Sequence, residues 1–146
     1  MANHPAYNFE LITPEGILLK DRVTELVAHT ENGEIGILHN HMALKSKLNS
    51  APLRYKREDG TQDLVAVLGG IIEVQDNKVS VISEFARLGK DINEAEADDR
   101  ALKAKTELQL LSPSAPVSDK DLAIAEARLQ KELLLLQTVR MLKKYS

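Results

Sequence analysis

The sequence predicts a β part followed by an α part: an N-terminal antiparallel β-sandwich, then a C-terminal α-helical hairpin. Two observations carry this. All 7 glycines of the 146-residue chain lie at or before Gly89, together with most β-branched residues, as strands and tight turns require. After Gly89, Ala, Leu, Glu and Lys dominate, and these favour helix. The chain therefore divides into 1–88 and 89–146.

The β part reads as short strands separated by turns. Phe9, Glu10 and Leu11 alternate in polarity. Val23, Glu25 and Val27 share one face of a strand, and Thr24, Leu26 and Ala28 the other. Asp59-Gly60 predicts a two-residue hairpin turn between strands over Leu53–Arg57 and Leu64–Leu68. Asp76-Asn77 predicts another between Ile71–Val74 and Val79–Ile82. Gly69-Gly70 interrupts an apolar run, which predicts a bulge or a sharp bend where the chain changes sheet.

The α part reads as two helices. Asp91 and Glu94 have the spacing of a capping box. Ala97, Ala101, Ala104, Leu108 and Leu111 then form one stripe, led by small residues that let a partner helix approach closely. The segment Ser112–Val117, with two prolines, breaks the helix. Ser118 and Asp121 cap a second helix over Asp119–Lys144. That helix has two apolar stripes. Leu122, Ala125, Leu129, Leu133 and Leu136 form the first; Leu135, Val139 and Leu142 form the second, about 100–120° around the axis. One stripe suffices for packing on the first helix. The second needs another surface: the β part, another chain, or each in turn.

Composition excludes several function classes. With no cysteine there is no disulfide scaffold, thiolate-bound zinc or thiol nucleophile. A net charge of −3 and a pI near 5.8 argue against a nucleic-acid binder. No apolar run approaches the ~20 residues that cross a bilayer, so no direct membrane insertion is expected. The first residues lack the charged and apolar regions of a secretory signal.

Residue chemistry points away from an enzyme. His39 and His41, if on one strand, would share a face and could begin a metal site, but further ligands are missing. No metal and no cofactor are therefore expected. There is no G-x-S-x-G nucleophile elbow, and the glycines at 33 and 36 lack the Lys-Ser/Thr of a phosphate loop. Charge divides unevenly in the α part. Acidic residues outnumber basic ones in the first helix, and the second carries Arg128, Lys131, Arg140, Lys143 and Lys144. The last three suit a helix C-terminus through its dipole; they equally suit docking on an acidic partner.

One string is more particular. E-N-G-E-I-G-I-L-H-N-H-M-A-L at 31–44 resembles the G-E-(L/F/I)-G-I-x-P-G-H-x-P-L segment of the epsilon-subunit family of F-type ATP synthases. L-G-G-I-I-E-V at 68–74, N-K-V-S-V-I at 77–82 and I-T-P-E-G at 12–16 resemble further family segments, in the same order. The resemblance runs from about Tyr7 to the end. It implies a β-sandwich with a C-terminal hairpin, in a non-catalytic rotor subunit that couples ion flow through the c ring to ATP synthesis. Implied partners are the gamma subunit, the c-subunit ring and, through the C-terminal helices, the alpha and beta subunits. The implied place is peripheral, on the cytoplasmic face of the plasma membrane.

The resemblance also implies sites. Glu31, Gly33, Glu34, His39 and His41 fall in the segment that faces the c ring, although the family's Pro-Gly is His39-Asn40 here and its following Pro is Ala43. Arg128, Lys131, Leu135, Val139, Arg140, Leu142, Lys143 and Lys144 fall on the helix that inhibits ATP hydrolysis. In some members an I/L-D-x-x-R-A motif binds ATP. Its positions correspond to Ile92, Asn93, Glu96 and Ala97, with Arg100 and Arg128 as other candidate phosphate partners. Here Asn93 stands for the Asp and Glu96 for the Arg, which puts a like charge where phosphates would lie. Two other readings stay open: a free-standing adaptor with a helical arm, and a small metallo-hydrolase built on His39 and His41.

Overall fold

The computed structural model describes residues 4–111 and 117–145. The strands are β1 (Tyr7–Thr13), β2 (Gly16–Thr30), β3 (Gly33–Ile37), β4 (Leu44–Leu48), β5 (Ala51–Arg57), β6 (Gln62–Val67), β7 (Gly70–Gln75), β8 (Lys78–Ile82) and β9 (Ala86–Leu88). A 3-10 turn at Gly89–Asp91 leads to α1 (Glu94–Leu111) and α2 (Asp119–Tyr145). The predicted break after α1 lies largely at 112–116, outside the described residues.

The strands form two facing layers. β2, 15 residues long, serves both. Its first half pairs with β1, and its second half pairs with β3 and β5. One layer runs β1-β8-β7-β4, and the other continues from β2 through β5 and β6 to β9. The pairings are antiparallel, as expected of the sandwich, with one parallel ladder between β1 and β8. Phe9, Leu11, Val23, Leu26, Ile72, Val79 and Val81 fill the space between the layers. The buried Tyr7 hydroxyl donates to the Ile37 carbonyl at 2.5 Å. Burial, joined by the Glu25 carboxylate, holds that phenol above its ordinary range, so it remains a donor.

The expected turns form. Asp76 and Asn77 both have positive φ, +50° and +60°, the geometry of a type I′ turn between β7 and β8. Asp59-Gly60 sits in a slightly longer loop, closed where the Arg57 amide donates to the Thr61 carbonyl at 2.8 Å. Gly69-Gly70 carries the chain from β6 in one layer to β7 in the other. A Cβ at Gly70 would come within 2.2 Å of the Ile82 carbonyl oxygen, so only glycine fits this crossing.

One face assignment is corrected. Val23 is buried, but so are Leu26 and Ala28, which the alternation put on the opposite face. A register shift between Val23 and Glu25 inserts one residue against β5. That flips the parity of everything after it.

The hairpin lies on β6. This strand is buried on both sides. Val65 and Val67 face the sandwich core, while Ala66 joins Ala97, Ala101, Leu134, Leu135 and Leu136 in a second cluster. A strand covered on both faces reads as a continuous apolar run rather than an alternation, as at Leu64–Leu68. The small Ala97, Ala101 and Ala104 are buried as expected. The capping expectation for α1 is corrected: Asp91 belongs to the 3-10 turn, and the Asn93 side-chain oxygen accepts from the Glu96 amide at 3.0 Å. Ser118 caps α2 as expected, accepting from the Asp121 amide at 3.1 Å. In the first stripe of α2, Ala125 and Leu136 are buried, but Leu122 and Leu133 are exposed; Leu134 takes the inward place instead.

Candidate functional site

Three groups of predicted residues can now be located. The first brackets β3. Glu31 lies in the β2–β3 turn, and Gly33 opens β3. There the Thr30 hydroxyl donates to the Gly33 carbonyl at 2.8 Å and accepts from the Asn32 amide at 3.2 Å. Glu34 lies opposite His29 on β2, its carboxylate 3.6 Å from the imidazole. His39 and His41 follow β3 at its other end, roughly 16 Å away for a five-residue strand. They occupy a turn rather than a strand, which removes the shared face on which a paired-histidine site depended. Asn40 between them has φ +60°, and its amide donates to the Asn77 side chain at 2.8 Å. That bond ties the histidine turn to the β7–β8 turn. Among the described residues no three His, Asp or Glu side chains cluster as metal ligands would.

The second group is α2. Its second stripe is covered by the β part: Leu135 and Val139 are buried against the sandwich, and Leu142 packs over Gly89. Three cations of the helix, Arg128, Arg140 and Lys143, form ion pairs within the chain. Arg140 reaches Glu94 and Asp98 on α1, each at 3.6 Å. Lys143 bonds Glu94. Arg128 pairs with Glu107 at 2.8 Å. Hydrogen bonding to Lys143, with Arg140 nearby, holds the Glu94 carboxyl below the usual carboxylate range. Lys131 sits 4.2 Å from the centre of the Phe85 ring, and the Arg54 guanidinium 5.2 Å from that of Tyr145. These two cation–π contacts join α2 to the sandwich. Sequence reasoning missed Phe85, Arg54 and Tyr145, because nothing in their spacing brings them together.

The third group does not assemble. Asn93 is occupied as the cap of α1, and Ala97 is buried in the hairpin interface. Arg100 is exposed on the next turn. Arg128 sits beside Glu107, 13 residues along α1 from Glu94, or roughly 20 Å at 1.5 Å per residue.

A two-layer sandwich carrying a docked helical arm, with Arg128, Arg140 and Lys143 of that arm in surface ion pairs, places the chain in the class of proteins that join a β-sandwich to a helical hairpin. The comparisons make the class specific. The ATP synthase delta/epsilon chain β-sandwich domain matches residues 6–89. The chain is 32% identical over 135 residues to the ATP synthase epsilon chain of Natranaerobius thermophilus, covering 92% of each. It is 32% identical over 123 residues to the chloroplastic epsilon chain of Nephroselmis olivacea, covering 84% of this chain and 92% of that one. A chain in the Euglena gracilis mitochondrial ATP synthase shares the fold, with a TM-score of 0.72 at 23% identity over 92% of this chain and 82% of that one. The chain belongs to the ATP synthase delta/epsilon chain family, and is a non-catalytic rotor-stalk subunit of an F-type ATP synthase. No helix among the described residues is long and apolar enough to cross a membrane.

Proposed function

We propose that the sandwich binds the gamma subunit and rests on the ring of c subunits, and that the hairpin, released from β6, restrains ATP hydrolysis by contact with gamma and the catalytic alpha and beta subunits. Residues 1–88 are the unit needed for coupling, and 89–146 regulate. Glu34, His39 and His41, with the turn residues Glu31 and Gly33, offer the polar surface that meets the c ring. The complex holds the chain peripherally on the cytoplasmic face of the plasma membrane.

The observation that carries the inhibitory part is the nature of the arm's attachment. Its joint with the sandwich is a small apolar cluster around Ala66, flanked by cation–π contacts. Within the arm, the ion pairs are exposed, and such pairs contribute only about 0–1 kcal/mol each. An attachment of this kind is reversible, and releasing it exposes Leu135, Val139 and Leu142 together. A tagged chain should retrieve gamma and c subunits from native membranes. Recovery of neither would overturn the proposed contacts with gamma and the c ring.

A further inference from the structure

Residues 38–43 run from the end of β3 to the start of β4, and none of them belongs to a strand. Leu38, His39, Asn40 and His41 form a β-turn, closed where the His41 amide donates to the Leu38 carbonyl at 3.1 Å. Asn40, the third residue of the turn, has φ +60°, and φ is negative at His39, the second. Positive φ at the third position alone defines a type II turn. Such turns favour Pro second and Gly third, and His39-Asn40 supplies neither. With this pair the commoner type I turn, which tolerates most residues and needs no positive φ, is open to the chain. The two forms differ in the peptide between the second and third residues, whose N–H points in roughly opposite directions. A contact outside the turn must favour type II.

Two hydrogen bonds of the turn are local: the closing bond, and one from His41 Nδ1 to the Met42 carbonyl at 2.8 Å. The third comes from 37 residues away. The Asn40 amide donates to Asn77 Oδ1 at 2.8 Å. Among the described residues it is the only hydrogen bond between 38–43 and another element. In the type I form that oxygen would face the His39 carbonyl oxygen, and two acceptors cannot bond. The acceptor is itself held in place. Asn77 is the second central residue of the β7–β8 type I′ turn, closed by pairing of Gln75 with Lys78, and the next residues inward, Val74 and Val79, are buried in the core. Asn77 is half-buried, while Asp76 beside it is exposed.

We propose that Asn77 is a positioning residue for the surface that meets the c ring: its side-chain oxygen selects the type II form of the 38–41 turn and so fixes where His39 and His41 stand. The proposal rests on the c-ring reading and adds the device that shapes the contact. A surface that is correctly formed only part of the time binds more weakly by that fraction, so a bond that selects one form of the turn strengthens the contact without taking part in it.

The test uses the full chain assembled with gamma, and c ring purified in detergent, with affinity read on the immobilised ring and hydrogen exchange read at the Asn40 amide. Asn77→Gly removes the acceptor and keeps the hairpin, since glycine is preferred at the second central position of a type I′ turn. Its melting temperature should hold. Exchange at Asn40 should quicken, and affinity for the ring should fall, each by about fivefold, the scale of one hydrogen bond. Asn77→Asp keeps an oxygen at the same place and tolerates the same φ, so it should return the exchange to within about twofold of wild type. Unchanged exchange in the glycine variant overturns the selection of the turn. An aspartate variant that exchanges as fast as the glycine variant overturns it too, because the acceptor is then not the cause. Faster exchange with unchanged affinity overturns the positioning role and leaves the c-ring reading intact. A wild-type chain that does not bind the ring overturns both.

Discussion

Leu142 lies over Gly89 so closely that a Cβ on the glycine would come 3.1 Å from the leucine Cδ2 and 2.8 Å from the Leu64 carbonyl oxygen. The end of α2, the 3-10 turn and β6 meet at this point, and the missing side chain of Gly89 is what lets them. Gly89→Ala should therefore lift the end of α2 from the sandwich. Overpacking of this kind costs about 1–3 kcal/mol. Hydrogen exchange in the last turns of α2 should accelerate while β7 and β8 keep their protection; equal protection throughout would show that the contact yields without cost.

The Glu94 carboxyl gives the arm a dependence on pH. Its folded pKa is depressed by the hydrogen bond from Lys143 and by Arg140. A depressed carboxyl contributes stability that is present above its unfolded pKa and is lost as pH falls through the folded value. Contact between α1 and α2 should thus be constant near neutrality and loosen only below the ordinary carboxylate range. Exchange rates in α2, divided by the intrinsic rate at each pH, should rise from pH 6 down to pH 3, and Glu94→Gln should flatten much of the rise. A rise of equal size in that variant would assign the effect to other groups.

Opposite effects on hydrolysis are expected from the two sides of the same ion pairs. Deleting residues 119–146 should raise ATP hydrolysis by the assembled enzyme without loss of assembly. Replacing Arg140, Lys143 and Lys144 by Ala should give part of that rise, and added salt should narrow the difference. Glu94→Ala with Asp98→Ala leaves those cations available to an acidic partner and should lower hydrolysis by about twofold to fivefold, the scale of one or two exposed ion pairs. Hydrolysis unmoved by the deletion, at matched enzyme content, would reduce the hairpin to a passive arm.

ATP should bind the isolated chain in the millimolar range or not at all. Phosphates require cations or a run of backbone donors. Here Asn93 is taken up as a cap, and Glu96 stands one turn from Arg100. Saturable micromolar binding by calorimetry would sink this expectation; Arg100→Ala would then show whether that residue has replaced the missing arginine.

What the sequence disclosed follows the range of the interactions involved. The β7–β8 turn was legible because Asp76-Asn77 is a local signal that needs no partner. The cap at Ser118 was legible for the same reason. The cap of α1 was misplaced because Asp91 and Asn93 both satisfy the local rule, and the 3-10 turn that decides between them is set by the docking of Gly89. The faces of β2 were misassigned after Val23 because a bulge answers to the register of β5, 30 residues away. The apolar run at Leu64–Leu68 did carry the news that β6 is covered twice, through its failure to alternate. Among the candidate residues, the cations of α2 were found by composition. Their carboxylate partners and the rings of Phe85 and Tyr145 were not, since only the folded hairpin brings them together. The bond from Asn40 to Asn77 escaped notice because each turn, read alone, is complete, and 37 residues separate them.

The threading of β2 through both layers has a consequence for how the chain behaves before it meets its partners. β1 is flanked by β2 and β8, β7 by β8 and β4, and β4 meets Thr30 of β2 at Leu48. In that layer residues 16–22 of β2 pair only with β1, and β4 pairs with β2 only at Leu48, so unpaired backbone stands beside the exposed Ile17; an apolar surface is most hazardous where backbone donors and acceptors stand free beside it. A newly made chain awaiting assembly therefore displays an apolar face and, beside it, an edge on which a further strand can pair. The edges at β3 and β9 sit in the other layer, away from that face.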